Sequence, residues 1–201
     1  GQKAYNVFGN RSLVFPLKNK DNQIVGLYFR SILNHDTAKH FYLKNRSGLY
    51  PNYPNPATKK LILTEAIIDT ATLLQVEEIT KEYSVLSLYG TNGLTEEHLQ
   101  AIKELKQLEE IIFFFDGDNA GRKAAWRALE STLPTLKEGV GANFVFLPDG
   151  HDPDSLVKAE GTEAFNQRLR EGLSLADFLF NHLSIDLRLD SLEGKSRLAS
   201  L

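Results

Sequence analysis

Ile111-Ile-Phe-Phe-Phe115-Asp116-Gly117-Asp118-Asn119-Ala120-Gly121-Arg122 sets two patterns back to back. Five consecutive apolar residues stopped by Asp-Gly-Asp predict a short strand buried on both faces. From Asn119 to Leu133 the apolar residues recur at helical spacing, so a helix is expected there. The two aspartates fall at the carboxyl end of the strand. In an extended stretch, residues i and i+2 point the same way, about 6–7 Å apart. Asp116 and Asp118 can therefore face one ion.

Working outward, the same alternation repeats. Lys60–Thr64 predicts a strand and Glu65–Val76 a helix; Val85–Leu88 predicts a strand and Thr95–Leu105 a helix with Thr95 as N-cap and His98 third in the helix. Asn143–Leu147 predicts a fourth strand. Strands alternating with helices imply an α/β fold: a parallel sheet with right-handed crossovers, flanked by helices. Residues 162–201 are expected to be helices only, at 162–170, at 174–183 and from Leu192. Upstream, Ser12–Leu17 and Gln23–Leu33 form an expected hairpin across Lys-Asn-Lys-Asp-Asn, with a third short strand at Lys39–Leu43. Pro51, Pro54 and Pro56 then forbid a helix or central strand, which marks a linker. The expected organisation is a small β-rich segment over 1–56, the α/β unit over 57–160 and a helical part over 161–201.

Composition sets the outer limits. The 201 residues are 42% apolar and 24% charged, ordinary for a globular chain, which excludes a disordered tail, a collagen-like chain or a coiled-coil rod. The longest apolar runs are about five residues, whereas a membrane span needs roughly 20. No apolar signal region stands at the start, and a cytoplasmic setting is expected. Zero cysteines exclude a disulfide, a thiolate zinc site or a cysteine nucleophile within these residues. The chain has no methionine and starts at Gly1, as expected of an excised fragment. The net charge of −3 conceals a division: residues 1–56 carry eight basic and two acidic side chains, residues 57–160 ten and eighteen, and residues 161–201 five and six. A nucleic-acid grip beside a metal site would have this layout, and so would chance clustering on a solvated surface.

In an open α/β sheet, ligands bind beyond the carboxyl ends of the strands. Glu65 follows the first strand of the unit, Asp116 and Asp118 follow the third, and the fourth runs into Pro148-Asp-Gly-His-Asp152-Pro-Asp154. Asp69, four residues after Glu65, is expected on the same helix face. Each acid has a plainer use: Asp118 or Asp152 as an N-cap, Glu65 as a partner of the helix dipole. Acids from three of four strands at one edge would nevertheless repel unless a cation neutralised them. All are hard oxygen ligands, so Mg²⁺ or Mn²⁺ with phosphate co-ligands is expected, and with it metal-assisted phosphoryl or nucleotidyl transfer. The five histidines show no metal-ligand spacing; His98 is expected to be structural or exposed, and His151 lies among the acids. Gly90-Thr-Asn-Gly93 suits either a plain turn or a phosphate-facing backbone.

Thr64-Glu65-Ala66-Ile67-Ile68-Asp69, Asp116–Glu130 and Phe146–Leu156 together resemble the Toprim domain of bacterial DnaG-type primases, and Leu175–Leu201 is similar to the start of their helical subdomain. Ala66 stands where that family usually has glycine, and His151 where an acid is common. The resemblance implies DNA-directed RNA primer synthesis on single-stranded DNA from ribonucleoside triphosphates, with two divalent ions. It implies catalytic and metal-binding roles for Glu65, Asp116 and Asp118, a second metal-supporting pair at Asp152 and Asp154, and a supporting acid at Asp69. It also implies template or nucleotide contacts at Arg30, Lys39 and Lys44 or Asn45. A zinc module and a helicase-binding region would lie outside these residues. Phe29, Phe41 and Tyr42 are either core or base-stacking platforms. A topoisomerase or Toprim nuclease shares the glutamate and the aspartate pair. A haloacid-dehalogenase-type phosphatase shares Asp-x-Asp after a strand, and a non-catalytic nucleic-acid adaptor could keep the fold.

Overall fold

The computed structural model describes residues 9–33, 40–90, 93–148, 151, 153–185, 187 and 190–200. Its first unit is a three-stranded antiparallel sheet, β1 (Ser12–Lys18), β2 (Ile24–Ser31) and β3 (His40–Tyr42), in that order. The hairpin forms as its turn residues predict: the Asn19 side chain accepts the Asp21 and Gln23 amides, and Asn22 takes the left-handed conformation at φ 61°.

The second unit contains β4 (Lys60–Thr64), α1 (Ile67–Leu73), α2 (Glu77–Glu82), β5 (Ser84–Ser87), α3 (Glu96–Lys103), β6 (Glu110–Phe115), α4 (Asn119–Thr132) and β7 (Gly141–Phe146). It continues through α5 (Pro153–Arg170), β8 (Leu173–Ser174), α6 (Leu175–Leu183) and α7 (Leu192–Leu198). The sheet order is β5-β4-β6-β7-β8. β4, β5, β6 and β7 run parallel, as the strand–helix alternation predicts, and β8 pairs antiparallel with β7.

That last strand corrects the expectation of helices alone after residue 161. β8 is two residues long, too short for any period to show in the sequence, and it forms because β7 offers an open edge. The helix expected from residue 162 is the second half of α5, which Gly161 interrupts with φ 81°. The helix expected from Glu65 begins two residues later, and α2 is an element the apolar pattern did not signal.

Alternation along the central strands sorts the core into two layers. Leu61, Leu63, Phe113, Phe115 and Phe144 face α3, α4 and α6; Ile62, Ile112, Phe114 and Val145 face the layer of α1, α2 and α5. The first layer is closed by a ring stack, Phe113 on Phe144 at 4.8 Å and Phe144 on Phe178 at 3.9 Å. Phe178 belongs to α6, so the helical tail packs on the sheet as a third contribution to that layer.

The small sheet is joined to the larger one by a third cluster. Leu17 and Tyr28 pack with Ile67 of α1 and with Tyr89, just beyond β5. The proline linker is held as well: Tyr50 bridges Ser87, and the Glu97 carboxylate accepts the Tyr53 hydroxyl at 2.5 Å and the Gly48 amide at 2.8 Å.

Candidate metal and nucleotidyl-transfer site

Parallel β4 and β6 lie side by side, with Thr64 opposite Phe114, so their carboxyl ends open onto the same edge. Glu65 leaves one strand there and Asp116 the other. The Asp116 backbone amide hydrogen-bonds the Glu65 carboxylate. Asp118 stands in the next turn, close enough to raise the Glu65 pKa together with Asp116. Asp116 and Asp118 thus both act on the Glu65 carboxylate from the end of the neighbouring strand.

Asp118 has a second task. Its carboxylate accepts the Gly121 amide at 2.7 Å and caps α4. Gly121 is confined to that place by space: a Cβ there would lie 2.2 Å from the Asp116 carbonyl oxygen. Arg122 donates from Nε to the Gly117 carbonyl at 3.1 Å, which closes the Asp116–Asp118 turn from the other side.

Asp69 lies elsewhere than its spacing suggests. Because α1 starts at Ile67, Glu65 is outside the helix, and the two carboxylates do not share a helix face. Asp69 is the third residue of α1 and accepts the Ala66 amide at 3.0 Å. Ala66 has no side-chain oxygen to cap the helix, and its extended backbone (φ −125°, ψ 155°) is open to any residue. The position where the family usually has glycine thus accepts alanine without strain.

Asp149, Asp152 and Lys39 lie outside the described residues, and of Asp154 only the backbone, in the first turn of α5, is described. His151 donates its amide to the Pro148 carbonyl at 3.1 Å. Among the described residues, no group of three or more carboxylates or histidines is placed to hold a metal ion by itself.

The electrostatics of the described part leave Glu65 short of positive charge. Glu65 is half-buried, and its Oε2 atom is fully buried with no hydrogen-bond partner. Burial pushes the Glu65 pKa up to about 7, and the charges of Asp116 and Asp118 push the same way; the Asp116 amide and Arg127 oppose them less strongly. An orphaned carboxylate oxygen beside two further acids is a hard-oxygen donor set short of positive charge, and it fits Mg²⁺ or Mn²⁺. Mg²⁺ in particular keeps several waters and asks for only one or two protein carboxylates besides phosphate. Arg127, on α4, is the cation facing Glu65 that sequence reasoning missed; its place two and a half turns along the helix from Asp118 was the available signal.

The basic residues divide. Arg30 is half-buried on β2, with Nη1 3.1 Å from both His40 ring nitrogens; the His40 Nδ1 is also 2.9 Å from the Tyr28 hydroxyl. Tyr28 feels both Arg30 and Asp69, which places this network next to the start of α1. Lys44 and Asn45 are exposed after β3, with Asn45 at φ 59°. Phe29 is core, 8% exposed, whereas Phe41 and Tyr42 are half-buried. His98 is structural: it is wholly buried between Thr95 and Ser87. The Gly93 amide donates to the Gly90 carbonyl at 2.8 Å.

A doubly flanked parallel sheet with Glu after one strand and Asp-x-Asp after its neighbour defines a Toprim-like domain, and residues 62–157 match the Toprim-like family. The chain is 37% identical to the DNA primase of Escherichia coli K12, over 99% of this chain and 34% of the relative. A DNA primase domain from Pseudomonas aeruginosa superposes with a TM-score of 0.79 at 34% identity, covering 94% of this chain and 60% of that one. A DnaG primase catalytic domain bound to single-stranded DNA superposes at 0.77 and 32% identity, covering 94% and 62%. The chain is similar to DnaG-type DNA primases over nearly its whole length and spans about a third of the length of the curated relatives it matches.

Proposed function

We propose that the protein containing this chain synthesises RNA primers on single-stranded DNA during replication. The observation that carries this reading is the Glu65–Asp116–Asp118 cluster with its orphaned, buried Glu65 oxygen, in a chain related throughout its length to DNA primases. Glu65, Asp116 and Asp118 would hold one divalent ion, and Asp152 and Asp154 would support a second. When bound, Mg²⁺ or Mn²⁺ supplies charge neutralisation for the attacking 3′-hydroxyl, the α-phosphate and the leaving pyrophosphate.

The protein's own residues do the rest. Capping by Asp118 and the close approach at Gly121 fix the Asp116–Asp118 turn, so both carboxylates would meet the divalent ion without reorganising. Asp69 holds the Glu65–Ala66 backbone at the helix start. The basic segment 1–56 faces the template, with Arg30, Lys39 and Lys44 or Asn45 as contacts, beside the acidic unit 57–160 and the part from 161 onward. Ribonucleoside triphosphates are the substrates. A replicative helicase is the expected protein partner. No helix among the described residues is long and apolar enough to cross a membrane, and a cytoplasmic setting suits the substrates.

The test is primer synthesis on a single-stranded template by the whole protein with Mn²⁺ or Mg²⁺. The wild type should extend ribonucleotides, and the double variant Asp116→Asn, Asp118→Asn should not. Synthesis by the double variant at the wild-type rate would defeat the assignment. Strand passage or cleavage without synthesis would turn the reading to a topoisomerase or nuclease.

A further inference from the structure

Arg46 is not among the residues that composition or motif singled out. It is exposed and follows the left-handed Asn45. Its guanidinium carbon lies 4.9 Å from the centre of the Tyr42 ring and 4.5 Å from that of Tyr89. Those rings meet edge to face at 5.6 Å, and Tyr89 meets His98 in the same way at 5.0 Å. Tyr89 is 8% exposed, so the seat beneath Arg46 is fixed by the core.

Other cations of the chain sit on carboxylates: Lys59 on Glu109, Lys60 on Glu82, Lys81 on Glu77 and Arg168 on Glu160. None of the ion pairs among the described residues includes Arg46. A guanidinium carries five N–H donors, so one that lies over aromatic rings and hydrogen-bonds the Tyr42 hydroxyl still has donors to offer phosphate oxygens.

Its position is equally specific. Tyr89 is followed by Gly90, whose amide donates to the Glu65 carbonyl at 2.9 Å. Arg46 therefore rests one residue from the backbone that carries the candidate metal ligand. On the small sheet, register places Arg30 opposite His40 and Tyr28 opposite Tyr42. Cations and rings thus run in one row from Arg30 through His40, Tyr28 and Tyr42 to Arg46. Tyr28 is buried, so what this row offers a single strand is its two end charges, Arg30 and Arg46, for the repeating phosphates.

We propose that Arg46, seated on Tyr42 and Tyr89, grips a backbone phosphate of single-stranded template where the strand reaches the Glu65–Asp116–Asp118 edge. This deepens the primer-synthesis reading and rests on it for the direction of the strand. The grip needs no metal.

The test is a fluorescence-anisotropy titration of the whole protein with a labelled oligodeoxythymidylate, in chelator and at several salt concentrations. Arg46→Ala should bind several-fold more weakly, and its log–log salt slope should be shallower by about 0.7, the loss of one phosphate contact on a single strand. Arg46→Lys should keep the slope and recover only part of the affinity, because the charge remains and the stacked fork does not. A merely structural role would leave the slope unchanged when the charge is removed. If Arg46→Ala keeps the wild-type affinity and slope while the nucleotide KM rises, the phosphate belongs to the incoming triphosphate and the proposal is overturned. If the wild type binds the oligonucleotide through Arg46 but makes no primer, the proposed function fails and the grip stands.

Discussion

The Asp118 carboxylate accepts the Gly121 amide at 2.7 Å, so an acid proposed as a metal ligand is also the cap that starts α4. The two roles use different properties of one side chain. Capping needs an acceptor oxygen, and metal binding needs the charge.

Asparagine keeps the acceptor and removes the charge. Asp118→Asn should melt within a degree or two of the wild type in chelator, whereas Asp118→Ala should lose about 1 kcal/mol of stability. Both should lose Mn²⁺ binding. Thermal melts in chelator beside a Mn²⁺ titration separate the roles, and equal melting temperatures for the two variants would show that the cap contributes nothing.

Gly121 is a steric requirement, since it has no unusual φ and its substitution places a Cβ 2.2 Å from backbone oxygen. Gly121→Ala should shift α4 away from the Asp116 turn and cost about 1–3 kcal/mol. Chemical denaturation measures the cost. Loss of Mn²⁺ binding in protein that remains folded would show that the metal site depends on this approach.

Glu65 should make metal binding pH-dependent. Its folded pKa is about 7, raised by burial and by the neighbouring aspartates, above the unfolded value near 4.5. The metal-free protein therefore holds a proton that the unfolded chain releases. That contribution to stability is full below about pH 4.5 and is lost as pH rises through about 7. An ion must displace the proton, so Mn²⁺ affinity should climb over the same window. Calorimetric titrations at pH 6 and pH 8, with Glu65→Gln as control, check it; an equal pH dependence in that variant would assign the proton to another group.

His98 should act with the opposite sign. Burial lowers its pKa to about 4. Its Nε2 donates to the Ser87 carbonyl at 2.9 Å, which leaves Nδ1 to accept the Thr95 amide at 3.2 Å. A proton on Nδ1 would face that donor. The unfolded chain takes up the proton near pH 6.5, so stability should fall as pH drops from about 6.5 towards 4, by roughly 3 kcal/mol in total. Denaturant melts at pH 7 and pH 5 read the loss, and His98→Gln should flatten it.

Chain order and residue type alone determined much of this protein. The apolar runs at 60–64 and 111–115, each ending in acid, required strands whose carboxyl ends carry charge, because five-residue runs of that kind are stable only when buried on both faces. The alternation with helices then required a parallel sheet. Thr95 and Asp118 announced their caps, since short polar side chains before an apolar helix have few other uses.

Tertiary structure decided the rest, because sequence carries no distances between segments. That Glu65 and Asp116 meet depends on β4 and β6 being neighbours, an order the chain does not spell out. Where α1 begins decided that Asp69 caps the helix and does not stack on Glu65. β8 exists because β7 has a free edge. Arg127 reaches Glu65 and Arg46 reaches Tyr89 across gaps of tens of residues, and only packing brings those charges and rings together.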